Sequence, residues 1–146
     1  MRYWLRGGWA LDFILGEVTR PHGDIDLVTW KRHEARITRV FEGHGFTATP
    51  RSASVDFEKN GLEANVMFIE KGPGVVYTAG FREEPRWSED VLTGPLRRLA
   101  GLSCRTISAR GLLEEKEKTP AWLGRSLRQK DIEAMETLRR LLATDG

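Results

Sequence analysis

The sequence predicts an α+β fold: a small mixed β-sheet flanked by helices, with a helical C-terminal part. Three observations carry this. The chain opens as strand, Gly-Gly turn, helix. Short strand-like runs dominate from Phe46 to Glu70. From Ser108 onward the apolar residues recur at helical rather than alternating spacing.

Each element has its own reason. Tyr3-Trp4-Leu5 is a short strand that ends at Gly7-Gly8, and Ala10, Leu11, Ile14 and Leu15 then repeat at helical spacing until Gly16. Gly16 to Gly23, with Pro21, is a loop. Asp24 to Trp30 is strand-like. His33 to Glu42 is an amphipathic helix with Ile37, Val40 and Phe41 inward, closed by Gly43 or Gly45. Ser54 to Glu58 and Leu62 to Glu70 flank Lys59-Asn60-Gly61, and Asn-Gly is a strong hairpin signal. In the second arm Glu63, Asn65, Met67 and Ile69 share one face, and Leu62, Ala64, Val66 and Phe68 the other. Val75 to Thr78 and Leu102 to Ile107 are further strands. Ser108 caps a helix that runs to about Lys118, where Pro120 interrupts. A last helix, from about Arg125 to Ala143, buries Ile132, Met135, Leu138 and Leu142. No repeat or low-complexity tract is visible. Residues 1–146 are expected to form one domain, with 108–146 as its helical extension.

Composition narrows the function classes. At 40% hydrophobic and 30% charged residues the chain is ordinary for a soluble globular protein. A net charge of +2 is too small to argue for nucleic-acid binding by bulk electrostatics. Cys104 stands alone, so no internal disulfide can form, and a reducing cytoplasm fits best. Asp12 and Glu17 interrupt the apolar start, which argues against a signal peptide, and no apolar run approaches a membrane span. His22, His33 and His44 have neither zinc spacing nor cysteine partners.

The chemistry gathers in "HGDIDLVTW". Asp24 and Asp26 lie two apart on a strand, so both carboxylates point the same way. At roughly 6–7 Å they repel by about 2–3 kcal/mol at an effective dielectric near 20. Two settings relieve that repulsion: a solvated strand end, or a divalent cation between the carboxylates, for which oxygen ligands favour magnesium or manganese. Upstream, Gly7-Gly8 sits between a strand and a helix, where main-chain N–H groups and the missing Cβ suit a phosphate. Arg20 can contact phosphate oxygens, and His22 can bond a phosphate or orient a carboxylate.

In combination, "YWLRGGWALDFILGEVTRPHGDIDLVTW" resembles the signature of the DNA polymerase β-like nucleotidyltransferase superfamily, a Gly-Gly followed by D-x-D. The small aminoglycoside and lincosamide adenylyltransferases are the nearer resemblance. Residues 3 to 30 carry it strongly, the strand at 62 to 70 moderately and "RQKDIEAMETL" weakly. The resemblance implies a minimal nucleotidyltransferase fold and a third acidic residue on a neighbouring strand. Glu63 in "GLEANV" is the candidate and Asp56 in "SVDFE" the alternative; the family more often has Asp here, so Glu63 serves either as metal ligand or as base. The implied reaction transfers a nucleoside monophosphate, AMP from ATP, to a hydroxyl of a small molecule such as an aminoglycoside or lincosamide. Asp24, Asp26 and Glu63 are the expected catalytic and metal-binding residues, with Mg2+ or Mn2+ as cofactor. Gly7, Gly8, Arg20, His22 and Lys130 are the expected nucleotide-binding residues.

The chain also departs from the family's pattern. Few residues precede Gly7, where the family usually has an amphipathic helix. Either the natural start lies upstream, or a second copy covers that face in a homodimer. An acceptor pocket is expected near Trp87, acidic if Glu83, Glu84, Glu89 and Asp90 line it, more apolar if Trp87 or Trp122 does. Two alternatives remain: a non-catalytic nucleotide-binding or antitoxin-like module, and an enzyme whose acceptor is a protein side chain. No membrane and no nucleic-acid partner is expected.

Overall fold

The computed structural model describes residues 1–124 and 126–145, with the side chains of 82–85, 122, 123 and 145 left aside. In chain order the elements are β1 (Tyr3–Arg6), α1 (Gly7–Leu15), β2 (Asp24–Trp30), a 3-10 turn (Lys31–His33), α2 (Glu34–Gly43), β3 (Thr47–Pro50), β4 (Ser54–Lys59), β5 (Leu62–Gly72), β6 (Val75–Thr78), β7 (Phe81–Ser88), a second 3-10 turn (Glu89–Leu92), β8 (Leu96–Leu99), β9 (Leu102–Arg105), α3 (Ala109–Leu123) and α4 (Gln129–Asp145). The main sheet runs β1-β2-β5-β4-β3, and β6 extends it from the far end of β5 to β7. The sheet is mixed because β2 and β5 pair in parallel while its other pairs are antiparallel. The β8–β9 hairpin forms a separate small sheet. It is tied to β1 by main-chain bonding of Leu5 to the Thr106 region.

Pleating divides the residues between two faces. Register places Leu5, Leu27, Val66 and Val55 side by side, and these are buried. Ile37 of α2 is buried with them, and Phe41 stacks on Phe57 at 4.1 Å between ring centroids. The opposite face carries Arg6, Asp26 and Asn65 in a row, with Asp24 beside Glu63 one step along. Strong apolar packing on one face thus leaves the other free for polar groups at the start of β2. The Asn60-Gly61 turn has both residues at positive φ, as a two-residue hairpin requires, and it fixes this register.

Several expectations change. Val40 is 49% exposed: it lies off the α2 stripe occupied by Ile37 and Phe41. Pro120 does not interrupt its helix, which continues to Leu123 and ends at Gly124 in the left-handed conformation. Pro120 lies near the C-terminal end of α3, where only the donor to the Lys116 carbonyl is lost. Ser108 caps α3 as expected, its Oγ accepting from the Gly111 N–H. Residues 81–99, for which the sequence predicts no element, supply β7 and β8. Trp87 pairs opposite Val76 and is buried in the core, where it lines a small apolar cavity that Arg6 and Glu115 also border. Glu89 faces Lys71 at 3.8 Å, and the side chains of Glu83, Glu84 and Trp122 lie outside the described residues. The last helix begins at Gln129, and Arg125 also lies outside them. Its inward face is Met135 and Leu138, with Leu142 half-buried, whereas Ile132 is 37% exposed. Asp131 is the buried residue instead, for reasons that lie in the cleft. Among the described residues no helix is long and apolar enough to cross a membrane.

Candidate active site

The site begins with the β1–α1 junction. Arg6 ends β1 opposite Asp26, and the chain turns into α1 through Gly7, whose φ is +68°. The turn presses its main chain onto β2. A Cβ added to Gly7 would lie 2.7 Å from Asp26 Oδ2, and one added to Gly8 would lie 2.4 Å from His22 Nδ1. Both glycines are therefore required by close approach, and the diglycine bend lies directly against the acidic strand.

The loop between α1 and β2 is organised from within α1. Asp12 is fully buried. It accepts from the Thr19 hydroxyl at 2.6 Å and from the Thr19 N–H at 3.2 Å, and His22 Nε2 donates to its other oxygen at 2.6 Å. The His22 ring also packs on Trp9, 4.9 Å between centroids. His22 is thus a buried strut that orients a carboxylate. The alternative reading, a histidine free to bond phosphate, holds only for Nδ1, which faces Gly8. Asp12 carries no expected role in the sequence beyond its place in "GGWALD"; a lone acid on the apolar side of a short helix was the available signal.

Two joined lobes open over this floor. The smaller, about 150 Å3, is lined by Gly7, Gly8, Arg20, His22, Asp24, Asp26 and Lys130, together with Lys116 of α3, Arg128 just before α4 and Asp131 of α4. All five expected phosphate-binding residues and both aspartates meet here. The larger, about 350 Å3, shares Gly7, the aspartates, Lys116, Arg128 and Asp131, and adds Arg6, Leu112, Glu115 and Thr119.

The charges are interlocked. Arg6 bonds Glu115, lies 4.0 Å from Asp26 and donates to the side-chain oxygen Oδ1 of Asn65 at 3.4 Å. Lys116 stands 3.6 Å from Asp131, and Arg128 Nε donates to Asp131 at 3.0 Å. Burial pushes the Asp26 carboxyl up from its ordinary value; Arg6 opposes this and the Asp24 charge reinforces it. Burial likewise lowers the Lys116 ammonium, against the pull of Asp131 and Glu115. For Asp131 burial acts upward, but the Arg128 hydrogen bond and the charges of Lys116 and Arg128 hold it below the usual range. Lys116, Arg128, Asp131, Arg6 and Glu115 were not expected here; distant in sequence and ordinary in composition, they show themselves only once α3 and α4 fold over the sheet.

The expected acidic trio reaches one sheet face but not one point. Glu63 is opposite Asp24 in register, yet it is exposed and lines neither lobe. Among the described residues no three His, Cys, Asp or Glu side chains converge on a metal position. Like charges at this spacing repel, and among the described residues Glu63 forms no ion pair. Asp56 is committed elsewhere: Asn65 and Arg51 donate to it at 2.7 and 2.8 Å, which lowers its pKa. The aspartate pair by itself suits a divalent cation. Among the described residues neither carboxylate accepts a hydrogen bond, their oxygens border the cleft, and the raised pKa of Asp26 marks a charge short of compensation.

The aminoglycoside-2''-adenylyltransferase family model matches residues 1–138. A lincosamide resistance protein of Staphylococcus haemolyticus is 36% identical over 44 residues, 30% of this chain; the match spans only 27% of that relative's length. The lincosamide antibiotic adenylyltransferase LnuA, crystallised with lincomycin bound, superposes with a TM-score of 0.72 at 19% identity, covering 94% of this chain and 85% of that one. The antibiotic-resistance factor ANT(2'')-Ia, solved in solution, gives 0.74 at 19% identity over 99% of this chain and 76% of its own. Its crystal structure with adenylyl-2''-tobramycin gives 0.70 at 20% identity, over 99% and 81%. At such identities these structures establish a shared fold.

Proposed function

Because the chain belongs to the aminoglycoside-2''-adenylyltransferase family, we propose that it is a nucleotidyltransferase that moves a nucleoside monophosphate, AMP from ATP, onto a hydroxyl of a small antibiotic-like molecule. One observation carries this reading: the Gly7 main chain lies against the Asp26 carboxylate, so a phosphate cradle and a carboxylate pair share one cleft.

The roles follow from position. Gly7 and Gly8 let a triphosphate approach the main chain, and Arg20, Lys130, Lys116 and Arg128 offset its charge. Asp24 and Asp26 would hold a divalent cation, magnesium or manganese, which when bound supplies charge neutralisation at the phosphates. The acceptor hydroxyl oxygen attacks the α-phosphorus from the side away from the diglycine bend. The new oxygen–phosphorus bond forms as the bond to the β-phosphate oxygen breaks, and pyrophosphate departs with that electron pair. Glu63, on the strand beside Asp24, would take the hydroxyl proton once its exposed side chain turns toward the cleft. Asp12 and His22 hold the loop that carries Arg20.

The test is pyrophosphate release from ATP with magnesium and a panel of hydroxyl acceptors, aminoglycosides and lincosamides first. Acceptor-dependent release is expected, falling at least about 100-fold in Asp26→Asn with an unchanged thermal midpoint. Full activity in Asp26→Asn, or no release with any acceptor, would overturn the proposal.

A further inference from the structure

The row Arg6, Asp26 and Asn65 bears on how many divalent ions the cleft can take, on the premise that it transfers nucleotide as just proposed. Displacements at phosphorus are often clamped by two divalent ions about 3.5–4 Å apart. Ions that close share a carboxylate. With the first ion between Asp24 and Asp26, a second would lie beyond one of them.

Neither flank is open. Beyond Asp24 the neighbouring acid is Glu63, which is exposed and lines neither lobe. Beyond Asp26 the strands place a cation and an amide. Register sets Arg6 of β1 against Asp26 on one side and Asn65 of β5 on the other. The Arg6 guanidinium reaches across this row. Its Nη2 lies 4.0 Å from Asp26 Oδ1 and donates to Asn65 Oδ1 at 3.4 Å. Glu115 of α3, itself buried, accepts from Nη1 and anchors the group there. Asn65 is fixed as well. Its amide nitrogen donates to Asp56 at 2.7 Å and to Ser54 at 3.2 Å, which turns Oδ1 toward Arg6. A dication on this flank would meet a guanidinium of like charge and gain only a neutral amide oxygen that already faces that cation. A second observation agrees. The smaller lobe presents Arg20, Lys116, Arg128 and Lys130 to the phosphates, so fixed side chains supply positive charge there.

We propose that Arg6 stands in for a second metal ion: the aspartate pair takes one divalent cation with the nucleotide, and Arg6 with Asn65 closes the second position.

The experiment counts ions without turnover. The full chain, with an equimolar amount of α,β-methylene ATP, is titrated with Mn2+. Bound ions are counted by equilibrium dialysis, and their coupling is read by electron paramagnetic resonance. Wild type is expected to hold one ion per chain, with the six-line spectrum of isolated Mn2+. Asn65→Asp gives Asp26 a carboxylate neighbour but keeps Arg6, and should also hold one. Arg6→Gln/Asn65→Asp opens the position and should hold two, with the broadened spectrum of a coupled pair. Adding Glu115→Gln removes the acid that Arg6 would leave stranded, so the triple variant reports if the double one does not fold. Two coupled ions in wild type or in Asn65→Asp, or a single ion in the folded double or triple variant, would overturn the proposal and leave nucleotidyl transfer standing. No bound ion in wild type would overturn both.

Discussion

Replacing Gly7 by alanine separates backbone strain from active-site geometry. Gly7 has φ +68°, so any L side chain there costs about 1–2 kcal/mol in the left-handed region. The new Cβ would also stand 2.7 Å from Asp26 Oδ2, well inside the 3.4 Å at which ordinary contact begins. Either the bend lifts from β2 or the carboxylate moves, by several tenths of an ångström. Misplacement on that scale, up to 1 Å, costs up to about 100-fold in a positioned reaction. Gly16 provides the control. It too has positive φ, +80°, but an added Cβ meets nothing within 4 Å. Gly16→Ala should therefore lose about 1 kcal/mol of stability and keep its kcat/KM. Gly7→Ala should lose similar stability and about 30- to 100-fold in kcat/KM. Chemical denaturation and pyrophosphate-release kinetics on both variants decide it. Equal activities of the two variants, once stability is matched, would show that contact between the bend and Asp26 is not what the reaction uses.

Two further predictions concern the struts of the cleft. Asp12→Asn replaces a buried acceptor of three hydrogen bonds and confronts His22 with an amide. A stability loss of about 1–3 kcal/mol is expected. Loosening the loop that carries Arg20 should also raise KM for ATP more than it lowers kcat, whereas an unchanged KM would deny the loop a part in nucleotide binding. Asp131 is held below its ordinary value of 3.8, so the folded state binds its proton less readily than the unfolded one. Its stabilisation is present above that value and is lost as pH falls through the lower, folded value. The stability gap between wild type and Asp131→Asn, measured by urea unfolding across pH, should accordingly be widest near neutrality and close on acidification below about 4. A gap independent of pH would mean that the Lys116–Asp131–Arg128 cluster acts through packing alone.

Much of the fold was legible because local rules and tertiary demands coincide. Asp24 to Trp30 is a short apolar run behind two aspartates, and it forms a strand as expected. Asn60-Gly61 dictates its hairpin, and Gly16 stops α1. Misreadings arose where the two demands part. Residues 81–99 lack clean alternation, so β7 and β8 do not show in the sequence even though each pairs with an adjacent strand, β6 and β9. Val40 and Ile132 are apolar residues at plausible helical positions that the actual packing directions leave in water.

By itself the sequence determined the site's local half. A diglycine between strand and helix, a loop with Arg20 and His22, and two aspartates at a spacing of two are short-range facts, and chain stereochemistry turns them into one cleft. Tertiary structure decided the rest. Parallel pairing of β2 with β5 puts Glu63 beside Asp24 without converging it on the pair. The docking of α3 and α4 brings Glu115, Lys116, Arg128 and Asp131 over the sheet and settles which acids are already neutralised. Charge compensation depends on distances between residues that lie far apart along the chain, and no local pattern of residues encodes those distances.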